Sequence, residues 1–189
     1  MPGRAGAFSL RRSGPYIVDQ RAGTINSRPF SLQIASLAML NDVYNRRILE
    51  LAGNIPRLGR LPAPDASATA HSKLCGSTVT VDLKMEGDKV TDFAHEVKAC
   101  ALGQASSSIM ARNVVGATAG ELRALREDVR RMLKENGSPP QGGRWADIAV
   151  LEPVRDYKAR HASTLLTFDA VVSAIDQIEQ KRGAPVAVQ

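Results

Sequence analysis

The sequence has few cysteines, few aromatic residues and no long apolar run. Its only two cysteines, Cys75 and Cys100, exclude a disulfide framework of the kind that stabilises small secreted domains. Aromatic residues make up 4% of the chain, so the core must be mostly aliphatic, and no aromatic and basic stripe is present to stack on nucleic-acid bases. No apolar segment is long enough to span a membrane. We therefore expect no nucleic-acid partner, no membrane and a reducing compartment, most simply the cytoplasm.

Acidic residues are scarce at the N-terminus. The net charge of the 189-residue chain is +6, and residues 1–38 contain five arginines but only one acid, Asp19. This composition is similar to that of a transit peptide, which would direct the protein to the mitochondrial matrix; the alternative is an upstream start codon, with the domain beginning at Met39. We expect a disordered basic extension over 1–38, one domain over 39–183 and a loose tail over 184–189.

The clearest secondary-structure pattern is a β-hairpin around a turn at residues 87–89. Polar and apolar residues alternate along both flanking segments, as they do in half-buried strands. A three-residue turn pairs Val79 with Val97, so that apolar side chains meet across the strands. If this register continues beyond the strands, Cys75 and Cys100 are neighbours at the open end of the hairpin.

Helical periodicity marks most of the other predicted elements. Thr118 and Glu121 have the spacing of a capping box at a helix start. Residues 61–70, which are rich in small side chains, are predicted to form a loop. The predicted strands cover residues 78–86 and 90–99, and the predicted helices cover residues 40–52, 104–113, 118–134, 145–151 and 163–180.

The segments around the two cysteines resemble the IscU/NifU/SufU family of iron–sulfur cluster scaffold proteins. Leu74-Cys75-Gly76-Ser77 is similar to the Cys-Gly-Asp segment of this family. Cys100, followed by Ala105-Ser106-Ser107-Ser108, is similar to the second family cysteine and the start of its helix.

Three further segments extend the resemblance over roughly residues 40–180. Residues 44–59 are similar to the opening helix of the family, and residues 120–160 resemble the insertion of the SufU-type branch. Residues 161–166 lie where the family has a third cysteine, just before the final helix.

The resemblance implies a small α+β fold, in which an antiparallel sheet of about three strands is covered by helices. It implies a non-enzymatic role: to receive persulfide sulfur from a cysteine desulfurase of the SufS or IscS type, to assemble iron or a 2Fe–2S cluster on three cysteines and an aspartate, and to pass the cluster to recipient apo-proteins. SufU-type members are also linked to a zinc ion at the same four positions and to sulfur relay.

Two of the four implied ligands are altered in this chain. Ser77 stands at the aspartate position and Ser163 at the third cysteine. A neutral hydroxyl is a poor donor to soft or borderline metals. His161 is therefore the expected third ligand beside Cys75 and Cys100, a set that would suit zinc or a cluster with one histidine ligand. For Ser163, the alternative role is to cap the final helix.

Other polar residues admit a functional and a structural interpretation. His71 is a weaker ligand candidate, whereas His95 falls on the apolar side of its strand and is expected in the core. Residues 106–108 either bind an anion at a helix start or pack closely because their side chains are small. A basic stretch near the predicted metal site either guides a partner, stabilises sulfide or is simply solvated: Arg155, Lys158 and Arg160.

Three functions from different classes fit the sequence. The first is a scaffold or sulfur acceptor that binds iron, a cluster or zinc through Cys75 and Cys100. The second is a degenerate family member that serves as an interaction module for a cysteine desulfurase without building clusters, which the loss of two ligands favours. The third, a thiol-based transferase, lacks a supporting acid–base constellation.

Overall fold

The structure is a computed structural model and describes residues 46–183. The predicted extension over 1–38, the first residues of the predicted opening helix and the tail over 184–189 lie outside the described residues. In chain order the elements are α1 (described over 46–53), β1 (Ala66–His71), β2 (Thr78–Glu86), β3 (Lys89–Lys98), α2 (Ala101–Asn113), α3 (Ala119–Lys134), a 3₁₀ segment (Gly143–Asp156) and α4 (Lys158–Gly183).

The three strands form one antiparallel sheet in the order β1-β2-β3. Val79 pairs with Val97, so the predicted register is confirmed over most of the hairpin. The predicted three-residue turn is wrong, because β3 already begins at Lys89. The register shifts between Lys84, which pairs with Asp92, and Met85, which pairs with Val90, so the extra residue, Thr91, lies on β3.

The prediction of a loop over residues 61–70 is wrong, because β1 occupies the second half of that range. Ala66 and Ala68 are buried, whereas Ser67 and Thr69 are exposed, which is the alternation of a strand with one covered face. Small side chains contribute little apolar signal to a sequence pattern. Here the small side chains of β1 lie in a strand on which α4 packs directly, and α4 also packs on β2.

The helices cover one face of the sheet, and α4 is central to the packing. It contacts β1, β2, α2 and α3, and its buried face contributes Phe168, Val171 and Ile175 to the core. Its observed start at Lys158 lies well before the predicted start at Ser163. Ser163 is therefore inside the helix and the prediction that it caps α4 is wrong. No helix among residues 46–183 is long and apolar enough to cross a bilayer.

The capping box of α3 is confirmed in its first half only. Thr118 Oγ1 accepts a hydrogen bond from the Glu121 backbone N–H at 3.1 Å. The Glu121 carboxylate does not complete the box, because it accepts a hydrogen bond from the Trp145 indole at 2.6 Å. This contact ties the 3₁₀ segment to α3, and the segment is longer than the predicted helix over 145–151. The architecture is α+β, as the resemblance implied.

Candidate functional site

Cys75 lies in the tight turn that joins β1 to β2. The Ser72 N–H donates to the Ser77 carbonyl, and the Gly76 N–H donates to the Ser72 carbonyl, both at 2.9 Å. Gly76 has a φ of +68°, in the left-handed region that favours glycine. The turn leaves Cys75 exposed between two buried serines.

The thiol of Cys75 contacts two hydroxyl groups. Its Sγ atom lies 3.3 Å from Ser72 Oγ and 3.1 Å from Ser77 Oγ. A thiol has only one proton to donate, so both hydrogen bonds can form only if at least one hydroxyl donates to the sulfur. Hydrogen bonds from Ser72 and then Ser77, with a smaller effect of the Arg160 charge, lower the pKa of Cys75 from 9.0 to about 7. At neutral pH the exposed sulfur is therefore partly thiolate, which is the nucleophilic form.

Cys100 immediately precedes α2 and is half-buried. Its Sγ atom lies 3.5 Å from Ser163 Oγ. Burial opposes ionisation, but the contact with the Ser163 hydroxyl and hydrogen bonds from the backbone N–H groups of Gly103 and Leu102 lower the pKa of Cys100 overall. The sequence position before a helix start predicted this direction. The Ser163 hydroxyl itself donates to the Arg160 carbonyl at 2.9 Å.

A close approach of α2 to α4 brings Ser163 to Cys100. A Cβ atom added at Gly103 would lie 3.0 Å from the Ser163 carbonyl oxygen and 2.7 Å from Ala99 Cβ, so only glycine fits without movement. The serines that follow are buried: Ser106 Oγ donates to the Gly103 carbonyl, and Ser108 Oγ donates to the Asn54 carbonyl. These contacts favour the close-packing interpretation of residues 106–108 over an anion site.

Arg160 affects both thiols electrostatically. Its positive charge contributes to the lowered pKa of both Cys75 and Cys100. Arg160 lies three residues before Ser163, a spacing that places both residues on one face of α4. The sequence had indicated Arg160 only as part of a basic stretch, and it had not indicated Ser72 at all. The i, i+3 spacings from Arg160 to Ser163 and from Ser72 to Cys75 are signals that could have found them.

His161, the expected third ligand, does not join the cysteines. Its Nε2 atom donates toward the carbonyl oxygens of Val154 at 3.2 Å and Arg155 at 3.0 Å, which belong to the 3₁₀ segment. Two residues along a helix correspond to a rotation of about 200°. Because α4 begins before His161, this histidine and Ser163 lie on nearly opposite faces, and it is Ser163 that reaches Cys100.

The other two histidines of the chain are also engaged elsewhere. His71 Nδ1 lies 3.1 Å from Thr78 Oγ1. His95 is fully buried and its Nε2 atom donates to the Pro56 carbonyl at 3.0 Å, while burial lowers its pKa. The core position expected for His95 is confirmed.

The donor set does not fit a resident zinc ion. Every cysteine and histidine of the chain lies within residues 46–183. Over that range no three His, Cys, Asp or Glu side chains are grouped to hold a metal. Cys75 Sγ contacts two serine hydroxyls and Cys100 Sγ contacts one, whereas structural zinc takes four nitrogen, sulfur or carboxylate ligands. The set of Cys75, Cys100 and His161 expected from the sequence is not assembled.

Comparison with known proteins gives a consistent assignment. The family model described as the NifU-like N terminal domain matches residues 43–164. A crystal structure of a nitrogen-fixing NifU-like protein (N-terminal) from Brucella abortus is 72% identical, with a TM-score of 0.72 over 76% of this chain and 99% of that one. The iron–sulfur cluster assembly scaffold protein IscU of Thermotoga maritima is 25% identical over 138 residues, or 73% of this chain and 96% of that protein.

A third relative extends the shared fold to the SUF system. The crystal structure of a putative iron–sulfur cluster assembly scaffold protein for that system from Fervidobacterium islandicum has a TM-score of 0.63 at 22% identity, over 68% of this chain and 93% of that one. The family resemblance of the cysteine segments is thus confirmed, and the chain belongs to the IscU/NifU/SufU family through its NifU-like N-terminal domain.

Proposed function

We propose that this protein acts in iron–sulfur cluster assembly as a non-enzymatic sulfur acceptor and scaffold. The observation that carries the proposal is the exposed Cys75 thiol, whose pKa is about 7 and which shares the charge of Arg160 with a second thiol, Cys100. The relative from Thermotoga maritima, which is named as an iron–sulfur cluster assembly scaffold, supports the same process.

The proposed chemical step is a thiol exchange. The Cys75 thiolate attacks the outer, sulfane sulfur of a persulfide carried by a cysteine desulfurase. A new S–S bond forms at Cys75 Sγ, the S–S bond of the donor breaks, and the donor cysteine leaves as a thiolate with the electron pair. No oxidant is needed. Each molecule accepts sulfur stoichiometrically, which makes it a carrier rather than an enzyme.

Iron, or a 2Fe–2S cluster, is then the cargo of the site. Thiolates of Cys75 and Cys100 are suitable ligands for iron. A cluster of this type normally takes four protein ligands, so two must come from another molecule, such as the recipient apo-protein. Incomplete coordination by this chain favours release of the cargo over storage.

The proposed partners are the cysteine desulfurase and the recipient apo-proteins. They would meet the turn between β1 and β2, where Leu74, directly before Cys75, is 79% exposed. Free thiols persist in a reducing compartment, so we propose the cytoplasm as the compartment.

Sulfur transfer under anaerobic conditions tests the proposal. The full chain is incubated with a cysteine desulfurase and sulfur-labelled cysteine, and the protein-bound label is counted. We expect about one label for each chain, lost in Cys75→Ser and retained in Cys100→Ser. Added iron and sulfide should then give visible charge-transfer absorption that requires both cysteines. Absence of label on the unmodified chain would overturn the sulfur-acceptor role.

The second function, an interaction module for the desulfurase, is favoured by the serines at positions 77 and 163. Its signature in the same experiment is a stable complex with the desulfurase, without label and without iron uptake. A transferase would instead accelerate the desulfurase when present in catalytic amounts.

A further inference from the structure

We propose that Ser77 and Ser163 make this site selective for sulfane sulfur over zinc, so that the protein accepts sulfur without a resident metal. The inference rests on the proposed function and deepens it, since it concerns what the same site binds. It starts from the disagreement between the zinc that the family resemblance implies and the donor atoms that are present.

The two serines occupy the implied ligand positions, but each contacts a cysteine thiol. Ser77 Oγ lies 3.1 Å from Cys75 Sγ, and Ser163 Oγ lies 3.5 Å from Cys100 Sγ. Both serines are buried, at 4% and 0% exposure, so their side chains are held in place. The Ser77 hydroxyl lies where it can donate to a thiolate or to a persulfide. The Ser163 hydroxyl donates to the Arg160 carbonyl at 2.9 Å and accepts from the Cys100 thiol, so its oxygen is engaged on both sides.

Among residues 46–183, no other side chain is grouped with the cysteines to replace the missing zinc ligands. Each of the three histidines of the chain is hydrogen-bonded away from the cysteines. Neutral hydroxyls are weak donors to a borderline metal such as zinc. With two thiolates as its only strong ligands, the site falls short of the four that hold structural zinc.

The positive charge of Arg160 also favours sulfane sulfur over zinc at this site. Arg160 acts on both thiols and carries a positive charge that repels a divalent cation. The same charge attracts a persulfide, which is anionic when ionised. Ser72, which also contacts Cys75, adds a third hydroxyl that can donate to the bound sulfur.

Zinc affinity, measured without any desulfurase, tests the inference. The protein is purified anaerobically and titrated with zinc against a chromophoric chelator. The double variant Ser77→Asp, Ser163→Cys restores the two ligands, and the matched control Ser77→Asn, Ser163→Thr introduces side chains without the new charge or thiol. Loss of one outer-shell contact alone lowers metal affinity about 10- to 100-fold, so two restored ligands should raise it by more than about 100-fold.

The unmodified chain and the control should bind zinc weakly and alike. A stoichiometric zinc ion on the unmodified chain, with an affinity within about tenfold of the double variant, would overturn the inference. Thermal unfolding checks that each variant folds. If the double variant does not fold, the single variant Ser163→Cys, which exchanges one oxygen for sulfur, provides the comparison.

Sulfur transfer to zinc-free protein separates this inference from the proposed function. We expect the unmodified chain to accept sulfur without zinc and added zinc to give no increase. Transfer that occurs only with zinc would refute the inference and leave the sulfur-acceptor function standing. Weak zinc binding without any sulfur transfer would refute the proposed function, and of the inference it would leave only the weak binding of zinc.

Discussion

Removal of the Ser72 hydroxyl should make Cys75 less reactive at neutral pH. Ser72 Oγ lies 3.3 Å from Cys75 Sγ, and its hydrogen bond is the largest of the causes that lower the pKa of Cys75 from 9.0 to about 7. In Ser72→Ala the hydrogen bond from Ser77 and the charge of Arg160 remain. The pKa of Cys75 should therefore rise, but not to its ordinary value.

The size of the effect follows from the thiolate fraction. With a pKa of about 7, half of the Cys75 side chains are thiolate at pH 7. At the ordinary value of 9.0 the fraction would be about 1%, which is about 50-fold less thiolate, but the more basic thiolate is about 6- to 10-fold more nucleophilic. Complete loss of the stabilising contacts would therefore slow the reaction by roughly 5- to 8-fold, and because Ser72 supplies the largest of several contributions, we expect a decrease of roughly 2- to 4-fold at pH 7.

Alkylation by iodoacetamide measures this effect when Cys100→Ser leaves Cys75 as the only thiol. The rate should rise with pH around a midpoint near 7, and Ser72→Ala should move that midpoint upward while the plateau at high pH changes little. The control Ser138→Ala removes an exposed loop hydroxyl and should leave the profile unchanged. A midpoint that is the same with and without the Ser72 hydroxyl would refute the assignment.

Two further predictions concern the support of the site. Gly103→Ala places a Cβ atom 3.0 Å from the Ser163 carbonyl oxygen. We expect the free energy of unfolding in urea to fall by about 1–3 kcal/mol and Cys100 to be alkylated faster. Unchanged stability would contradict the close approach of α2 to α4. Asp82, which is buried and bonded to Arg60, has a lowered pKa despite its burial, so its stabilising effect is present above pH 3.8 and lost as the pH falls through its folded value. Asp82→Asn should lower the free energy of unfolding by about 1.5–3 kcal/mol at pH 7 and by progressively less in acid. Equal losses at neutral and at acid pH would contradict this sign.

The hairpin could be predicted from the sequence because its apolar residues are large and alternate. Val79, Val81 and Leu83 are completely buried, and such side chains give a strong period of two. Strand β1 has the same geometry but uses alanine, serine and threonine, which occur equally in loops. Its position depends on contact with α4, which lies almost a hundred residues further along the chain and leaves no local signal.

The position of the two cysteines could be predicted only in outline. Pairing of β2 with β3 ends at Thr78 and Lys98, so the predicted register does not extend to Cys75 and Cys100. Instead, Cys75 is placed by a turn closed through Ser72 and Ser77, and Cys100 by the start of α2. Both thiols contact serine hydroxyls, and the alternating pattern of a strand does not predict such contacts.

The position of His161 illustrates why a family motif predicts positions more safely than chemistry. The resemblance assigned positions 77 and 163 to the site, and the structure places both serines against the cysteines. A histidine near position 163 in the sequence does not thereby replace the missing cysteine. A helix permits no such replacement two residues away, because side chains at that spacing point in nearly opposite directions. Where a helix carries the altered ligand, a compensating residue should be sought three or four positions away, and in this chain that position holds the positively charged Arg160.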